Sequence, residues 1–427
     1  MDQITRRLTE SGSPLAPFRY PAFRTIWLAM VVSSLGTMIQ SVGAQWLMTD
    51  LTQSHSMVAL VQASTLLPIM VLGVPAGAIA DNFDRRRVML ASQGFMLVAS
   101  TLLAILAWQG DIGPGLLVLL TLAVGAGTAL NAPAWQASVR AQVGSADLPQ
   151  AISLNTIAFN LARSVGPALG GLLISLWSVS IAFTVNAASY LVMIVALVRW
   201  HPPRREPSKR GRIFVSIGQG ISFCANSPPL RRVLLRGLVF GLFGGAGQAL
   251  MAVTARDLLG GDEIDFGLML GAFGIGSIVT ALFVSSVRKR FGSEIVVSAA
   301  SFALGVSLIL LAEARSLPFA IVACFLAGGG WVGALNSLNV AMQLRSPDVI
   351  LGRCLSIYQA VTFGAVALGA YGWGWVSDWQ SLPFALYAAA AGLFASMLLR
   401  FVVPMPSRDE GRVDLDADRA AGEVPMR

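Results

Sequence analysis

One arginine sits where a charge is hard to keep. Arg163 lies about eleven residues into the apolar run 152–176, or ~16 Å along a helix rising 1.5 Å per residue. A charge at that depth costs roughly a few kcal/mol unless it is paired or hydrated. At about 100° per residue, Thr156, Asn160 and Pro167 share its face. Its guanidinium fork suits an anionic or catecholate-like solute group, or a role in ion coupling. The alternative is a structural pair with helix-end carbonyls or a carboxylate, and snorkelling is a third reading.

Uncharged polar side chains form stripes elsewhere. Ser34, Thr37, Ser41 and Gln45 share a face of one apolar run, and Asn336, Asn339 and Gln343 share a face of another. Such groups hydrogen-bond either a bound solute or a neighbouring helix, the latter for ~0.6 kcal/mol per pair. No carboxylate falls at mid-depth in any run. Asp50, with Asp257 behind it, is the nearest candidate to carry a proton, and solvation at the surface is the bland reading of both. His55 and His201 fall in loops. Cys224, Cys324 and Cys354 show no ligand or pairing spacing and read as packing residues. Trp135, Trp331, Trp373 and Trp375 read as interface anchors or packing more readily than as a ligand box. There is no phosphate-binding Gly-x4-Gly-Lys-Ser/Thr, no metal-ligand cluster, no nucleophile elbow and no catalytic carboxylate pair. ATP-driven chemistry, a resident cofactor or metal, and enzymatic activity are therefore not expected.

The elements that must position these residues are twelve apolar segments, at about 23–49, 57–80, 88–109, 115–136, 152–176, 179–198, 233–256, 266–287, 294–313, 318–342, 354–377 and 382–403. Each is close to the ~20 residues a helix needs to cross a bilayer. The chain has 427 residues, 55% hydrophobic and 12% charged, too apolar for soluble cores. With the N-terminus in the cytoplasm, every Lys and Arg except Arg163, Arg256 and Arg315 falls on the cytoplasmic side. That is the positive-inside pattern for cytoplasmic N- and C-termini in an inner-membrane protein. The net charge of +8 therefore faces anionic lipid headgroups, and nucleic acid is not an expected partner. The opposite side is acidic, with Asp50, Asp111, Asp257, Glu263 and Asp378 among its residues.

The organisation is a cytoplasmic tail 1–22, a six-helix bundle 23–198, a Pro- and Arg-bearing loop 199–232, a second bundle 233–403 and a tail 404–427. Within the loop, 213–226 is amphipathic enough for a short surface helix. The first apolar run is too long for a cleaved signal and is expected to remain as the first span. The bundles repeat: Ala129-Leu130-Asn131 is followed by Arg140, and Ala334-Leu335-Asn336 by Arg345, at the cytoplasmic end of the fourth span of each half. Six spans per half make this a parallel repeat about an axis along the membrane normal.

Three features resemble the major facilitator superfamily over about 18–403. Gly73-x3-Gly77-x3-Asp81 leads into Arg85-Arg86-Arg87, like the family's signature loop, departing from it at Asn82 and Asp84. Gly166-Pro167-x2-Gly170-Gly171 matches its antiporter motif. Phe23-Arg24, Ser34-x-Gly36, Trp46-Leu47 and Leu51-Thr52, with Asn155, Asn160 and Arg163, are similar to the enterobactin-exporter-like, transmembrane secretion effector branch. Longer members of that branch carry a C-terminal soluble domain, which is not expected here. The resemblance implies an all-α membrane protein of twelve transmembrane helices, a cavity lined by spans one, four, seven and ten, and a cytoplasmic gate at Gly73, Gly77, Asp81, Arg85 and Arg86. It further implies export of a small hydrophobic or amphipathic molecule, drug- or siderophore-like, by proton antiport. An importer or uniporter on the same fold is the alternative, and a non-transporting receptor or scaffold ranks behind both. The expected partners are a small-molecule substrate, the lipid bilayer and protons, with the chain acting as a monomer.

Overall fold

The computed structural model describes residues 13–201, 213–347 and 350–406, without the side chains of 74, 81, 213–217 and 219. The stretch 202–212, the acidic tail from 407 and the side chain of Asp81 thus lie outside the described residues.

Local chemistry sets where the helices begin. Proline stands in the first turn of α1 (Pro21–Leu51), α4 (Pro114–Ser138), α5 (Leu148–Leu176), α8 (Pro228–Ala249), α11 (Leu317–Arg345) and α13 (Leu382–Met397). Its missing N–H is harmless there, and its φ already fits a helix. Asp84 caps α3 (Arg85–Gln109) by accepting from the Arg87 N–H at 2.9 Å, and α3 ends where Gly110 turns left-handed at φ 77°. The remaining elements are α2 (His55–Asn82), α6 (Val179–Arg199), α7 (Ile213–Asn226), α9 (Glu263–Phe291), α10 (Ser293–Ala312) and α12 (Leu351–Trp379). Among the described residues, twelve helices are long and apolar enough to cross a membrane; α7, the expected surface helix, is not one of them. The protein is thus a twelve-span, all-helical membrane protein.

Several spans outrun their apolar cores. α9 was expected over 266–287 and runs over Glu263–Phe291. Glu263 and Asp265 in its first turn, and Arg288, Lys289 and Arg290 in its last, match the helix macrodipole, so the polar ends stay helical. Beyond α8 the chain continues as a short Met251–Val253 turn and then a π-helical turn, Thr254–Leu258.

The chain packs as two compact units. The first comprises Met1–Gln53, Pro75–Arg210 and Gly261–Gly274; the second comprises Ser54–Val74, Gly211–Gly260 and Ile275–Arg427. In the first unit Gly36 lets α1 meet α6, because a Cβ there would lie 2.6 Å from the Ser189 hydroxyl. Beside it Gln40 Oε1 accepts from Ser100 Oγ and from Asn186 Nδ2, each at 2.7 Å, and Asn186 also reaches the Tyr190 hydroxyl. All four side chains are buried. Ser100 Oγ and Asn186 Nδ2 thus have partners within this buried network, which avoids the cost of an unmade bond. At the N-terminal edge, the fully buried Asp147 carboxylate accepts from Arg19 and from the Tyr20 hydroxyl.

In the second unit the buried Arg236 pairs with Glu294 and donates to the Ser396 carbonyl at 3.1 Å. Glu294 also accepts from the Met405 N–H at 2.7 Å. Against this cluster α7 packs Phe223 and Cys224 onto Leu230, Cys354, Ile357 and Tyr358. The three cysteines are free and buried, in the packing role expected of them.

Candidate functional site

Arg163 sits on α5 with its guanidinium carbon 5.4 Å from the centroid of the Phe273 ring of α9. The side chain is half-buried, and among the described residues no carboxylate or hydrogen-bond acceptor engages it. The structural pair considered from the sequence is therefore absent, and a cation–π contact takes its place. Such a contact supplies ~1–2 kcal/mol when shielded from water, while the N–H fork remains available to an anion.

The Gly-Pro motif explains how α9 comes so near. Gly166 and Gly170 face α1, where added Cβ atoms would lie 2.6 Å from Met38 Cβ and 3.2 Å from Ile39 Cα. Gly171 faces α9, and a Cβ there would strike the Glu263 carbonyl oxygen. From α9, an added Cβ on Gly267 would lie 2.8 Å from the Pro167 carbonyl oxygen and one on Gly274 2.5 Å from Ser164 Cα. Small residues on both helices bring the backbones together, as membrane helices commonly require. Pro167 contributes by leaving one α5 carbonyl without its usual helical donor.

The polar stripes divide. Gln45 is buried; its Nε2 donates to Ser41, and its Oε1 has no partner among the described residues. Thr37 donates to the Ser33 carbonyl at 2.9 Å, and Ser34 is part-exposed. On α11, Asn336 accepts from Arg288 at 2.8 Å, and Gln343 donates to Asn339 at 2.5 Å. Asn160 is half-buried and Asp50 is exposed at the end of α1. The tryptophans differ too: Trp331 is buried against Phe240, Trp373 donates to the Leu242 carbonyl, and Trp375 stacks on Trp379 at the surface.

Asp257 is not merely solvated. Its Oδ2 lies 2.9 Å from His55 Nε2, and His55 is the first residue of α2 rather than a loop residue. The other ring nitrogen, Nδ1, lies 2.7 Å from Ser377 Oγ. Asp378 accepts from the backbone N–H groups of His55 and Ser56 and from Ser54 Oγ, at 2.5, 3.0 and 2.9 Å, capping α2 from another helix. The sequence signal was available in Ser54-His55-Ser56, a polar triplet placed to open a helix.

Comparison with known proteins gives these features a family. The pattern of the transmembrane secretion effector family matches residues 12–422. The chain belongs to that family, within the major facilitator superfamily. It is 25% identical over 421 residues to the multidrug efflux pump Tap of Mycobacterium tuberculosis strain H37Rv, covering 95% of this chain and 99% of Tap. It is 24% identical over 339 residues to the staphyloferrin A transporter of Staphylococcus aureus strain NCTC 8325, covering 79% and 84% of the two chains. The crystal structure of a POT family transporter in complex with 5-aminolevulinic acid superposes with a TM-score of 0.72 at 10% identity, over 89% of this chain and 95% of that one. The secretion effector is thus a multi-pass membrane transporter of the major facilitator fold, and not an enzyme.

In this transporter, among the described residues, an added Cβ on Gly77 would meet nothing within 4 Å, and one on Gly73 would meet Ile69 Cγ2 at 3.8 Å. Arg85 donates to the Ala137 carbonyl at 2.7 Å, and Arg86 to the Leu197 and Val198 carbonyls at 2.7 and 2.6 Å. Both bases thus cap the carbonyl ends of α4 and α6 within the first unit, where helix C-termini attract cations. Arg86→Ala is expected to destabilise the protein by about 1–3 kcal/mol through two lost charge-assisted bonds. A lowered thermal midpoint in detergent, with exposed Arg87→Ala unchanged, checks this.

Proposed function

We propose that the transporter exports a small amphipathic molecule carrying an anionic group, in exchange for protons, by alternating access. The observation that carries the reading is the Arg163 guanidinium, held inside a span over Phe273 with no carboxylate bound to it among the described residues. A cation placed there without a protein counter-charge favours a solute that brings one. Asn160 on the same face and the unpartnered Gln45 Oε1 offer further polar contacts. Among the named relatives, the multidrug efflux pump supports an outward direction, and the staphyloferrin A transporter supports a siderophore-like cargo. The Gly166–Gly171 motif supports export by its resemblance to antiporters. The segment from Gly73 through Asp81 to Arg85 and Arg86 is proposed to switch during the cycle. The proposal includes a monomer in the inner membrane; the positive-inside pattern supports Lys- and Arg-rich loops and both termini in the cytoplasm.

Everted membrane vesicles test direction and coupling together. An acid interior should drive uptake of a fluorescent amphipathic carboxylate, and a protonophore should abolish that uptake. Uptake that ignores the sign of the pH gradient would replace exchange by uniport on the same fold.

A further inference from the structure

We propose that the His55 imidazole is a proton-binding site whose charge sets how firmly α2 is tied to the π-helical turn beyond α8 and to the end of α12. The consequence for transport rests on the proton-exchange reading above; the binding site itself does not. All the atoms involved belong to the second unit.

The geometry accepts either charge state. Asp257 Oδ2 only accepts, so Nε2 carries a hydrogen and donates across 2.9 Å. In the neutral ring, Nδ1 accepts from the Ser377 hydroxyl at 2.7 Å. When Nδ1 takes a proton from water, that hydroxyl rotates and accepts instead, with no heavy atom displaced. A ring fixed between a carboxylate and a rotatable hydroxyl therefore gains or loses charge without losing a hydrogen bond. Imidazole is the side chain whose ordinary titration falls between pH 5 and 8.

The surrounding charges make that change matter. Among the described residues, the charged groups facing His55 are Asp257 in the π-helical turn beyond α8 and Asp378 at the end of α12, with Arg256 Nε 3.9 Å from Asp257 Oδ1. A protonated ring adds a positive charge between two carboxylates carried by two different elements. The corner is otherwise tight: a Cβ on Gly374 would lie 2.7 Å from Ser56 Cα and from Ala59 Cβ. Backbone contact and the Asp378 cap hold α2 against α12, and the imidazole adds the tie to the π-helical turn. Protonation strengthens that tie, and loss of the proton weakens it. The His55 and Asp257 side chains are 20% and 35% exposed, so bulk protons reach the site and screening limits its strength.

A cysteine at Ser64 reports on the corner. Ser64 is 2% exposed and lies about two and a half turns along α2 from His55. In a protein with Cys224, Cys324 and Cys354 replaced by Ala, the labelling rate of Ser64→Cys by an impermeant maleimide is measured in right-side-out vesicles from pH 5 to pH 8.5. The same measurement on a His55→Gln background supplies the denominator, which removes the reagent's own pH dependence. The ratio is expected to fall about threefold as pH drops, the size of a part-exposed ion pair. Asp257→Asn should flatten it while the protein keeps its monodisperse elution. A ratio constant with pH, or one that Asp257→Asn leaves intact, overturns the proposal. If His55→Gln fails to fold, the Asp257→Asn protein serves as denominator, and a ratio constant with pH overturns the proposal. No solute and no gradient enter this experiment, so its result is independent of whether the protein exports.

Discussion

Arg163→Gln is expected to lower transport of an amphipathic carboxylate by about ten- to a hundredfold, the equivalent of one charge-assisted hydrogen-bond pair. The loss should fall mainly on the anionic solute, with ethidium, a cation, far less affected. The side chain holds its charge over the Phe273 ring and pairs with no carboxylate among the described residues. Removing the charge leaves no buried partner stranded, so the protein should fold, losing at most the ~1–2 kcal/mol of the cation–π contact. Arg163→Lys keeps the charge but loses the planar fork, and partial activity is the expected result. Parallel uptake assays and thermal melts of the three proteins check this. Normal carboxylate transport by Arg163→Gln would remove the residue from the solute site, and a collapsed melting point would make it a structural residue.

Gly171→Leu is expected to reduce transport to background while the protein still inserts. Any side chain at this position runs into the Glu263 carbonyl, and Ile264 Cα lies 3.2 Å away, so the obstacle is backbone and cannot rotate aside. On the facing helix an added Cβ on Gly267 would lie 3.2 Å from Gly171 Cα, so neither side has space to give. Overpacking of this kind costs about 1–3 kcal/mol, and here it also pushes α9, with Phe273, away from Arg163. Gly94→Leu is the control, since nothing lies within 4 Å of that position. Membrane insertion by fractionation, thermal stability and vesicle uptake together make the test. Full transport by Gly171→Leu would show that this helix contact is dispensable.

The spans were legible because hydropathy and charge depend on residue type alone. Their ends were less so: α9 keeps its helix through Arg288, Lys289 and Arg290, past the point where apolar residues stop. Arg163 was legible for the same reason as the spans, as a charge inside an apolar run. Its aromatic partner, Phe273, was not, because only the packing of α5 on α9 brings the two together. The Gln40–Ser100–Asn186 network escaped for a similar reason, since each span contributes one unremarkable polar residue. The polar stripe on α11 was visible, but not that Arg288 would occupy Asn336. His55 was read as a loop residue because its partners lie 202 and 322 positions away.

The π-helical turn at Thr254–Leu258 gives that last pairing an unusual origin. A wide turn admits one more residue than an α-helical turn, and one residue is worth about 100° of rotation. Asp257 reaches His55 because the backbone is out of phase with the α-helix preceding it. Deleting a single residue from the turn would leave the composition almost untouched and swing the carboxylate to another side of the helix. In this transporter, then, a change of phase rather than of side chain separates a chain with the histidine–aspartate contact from one without it.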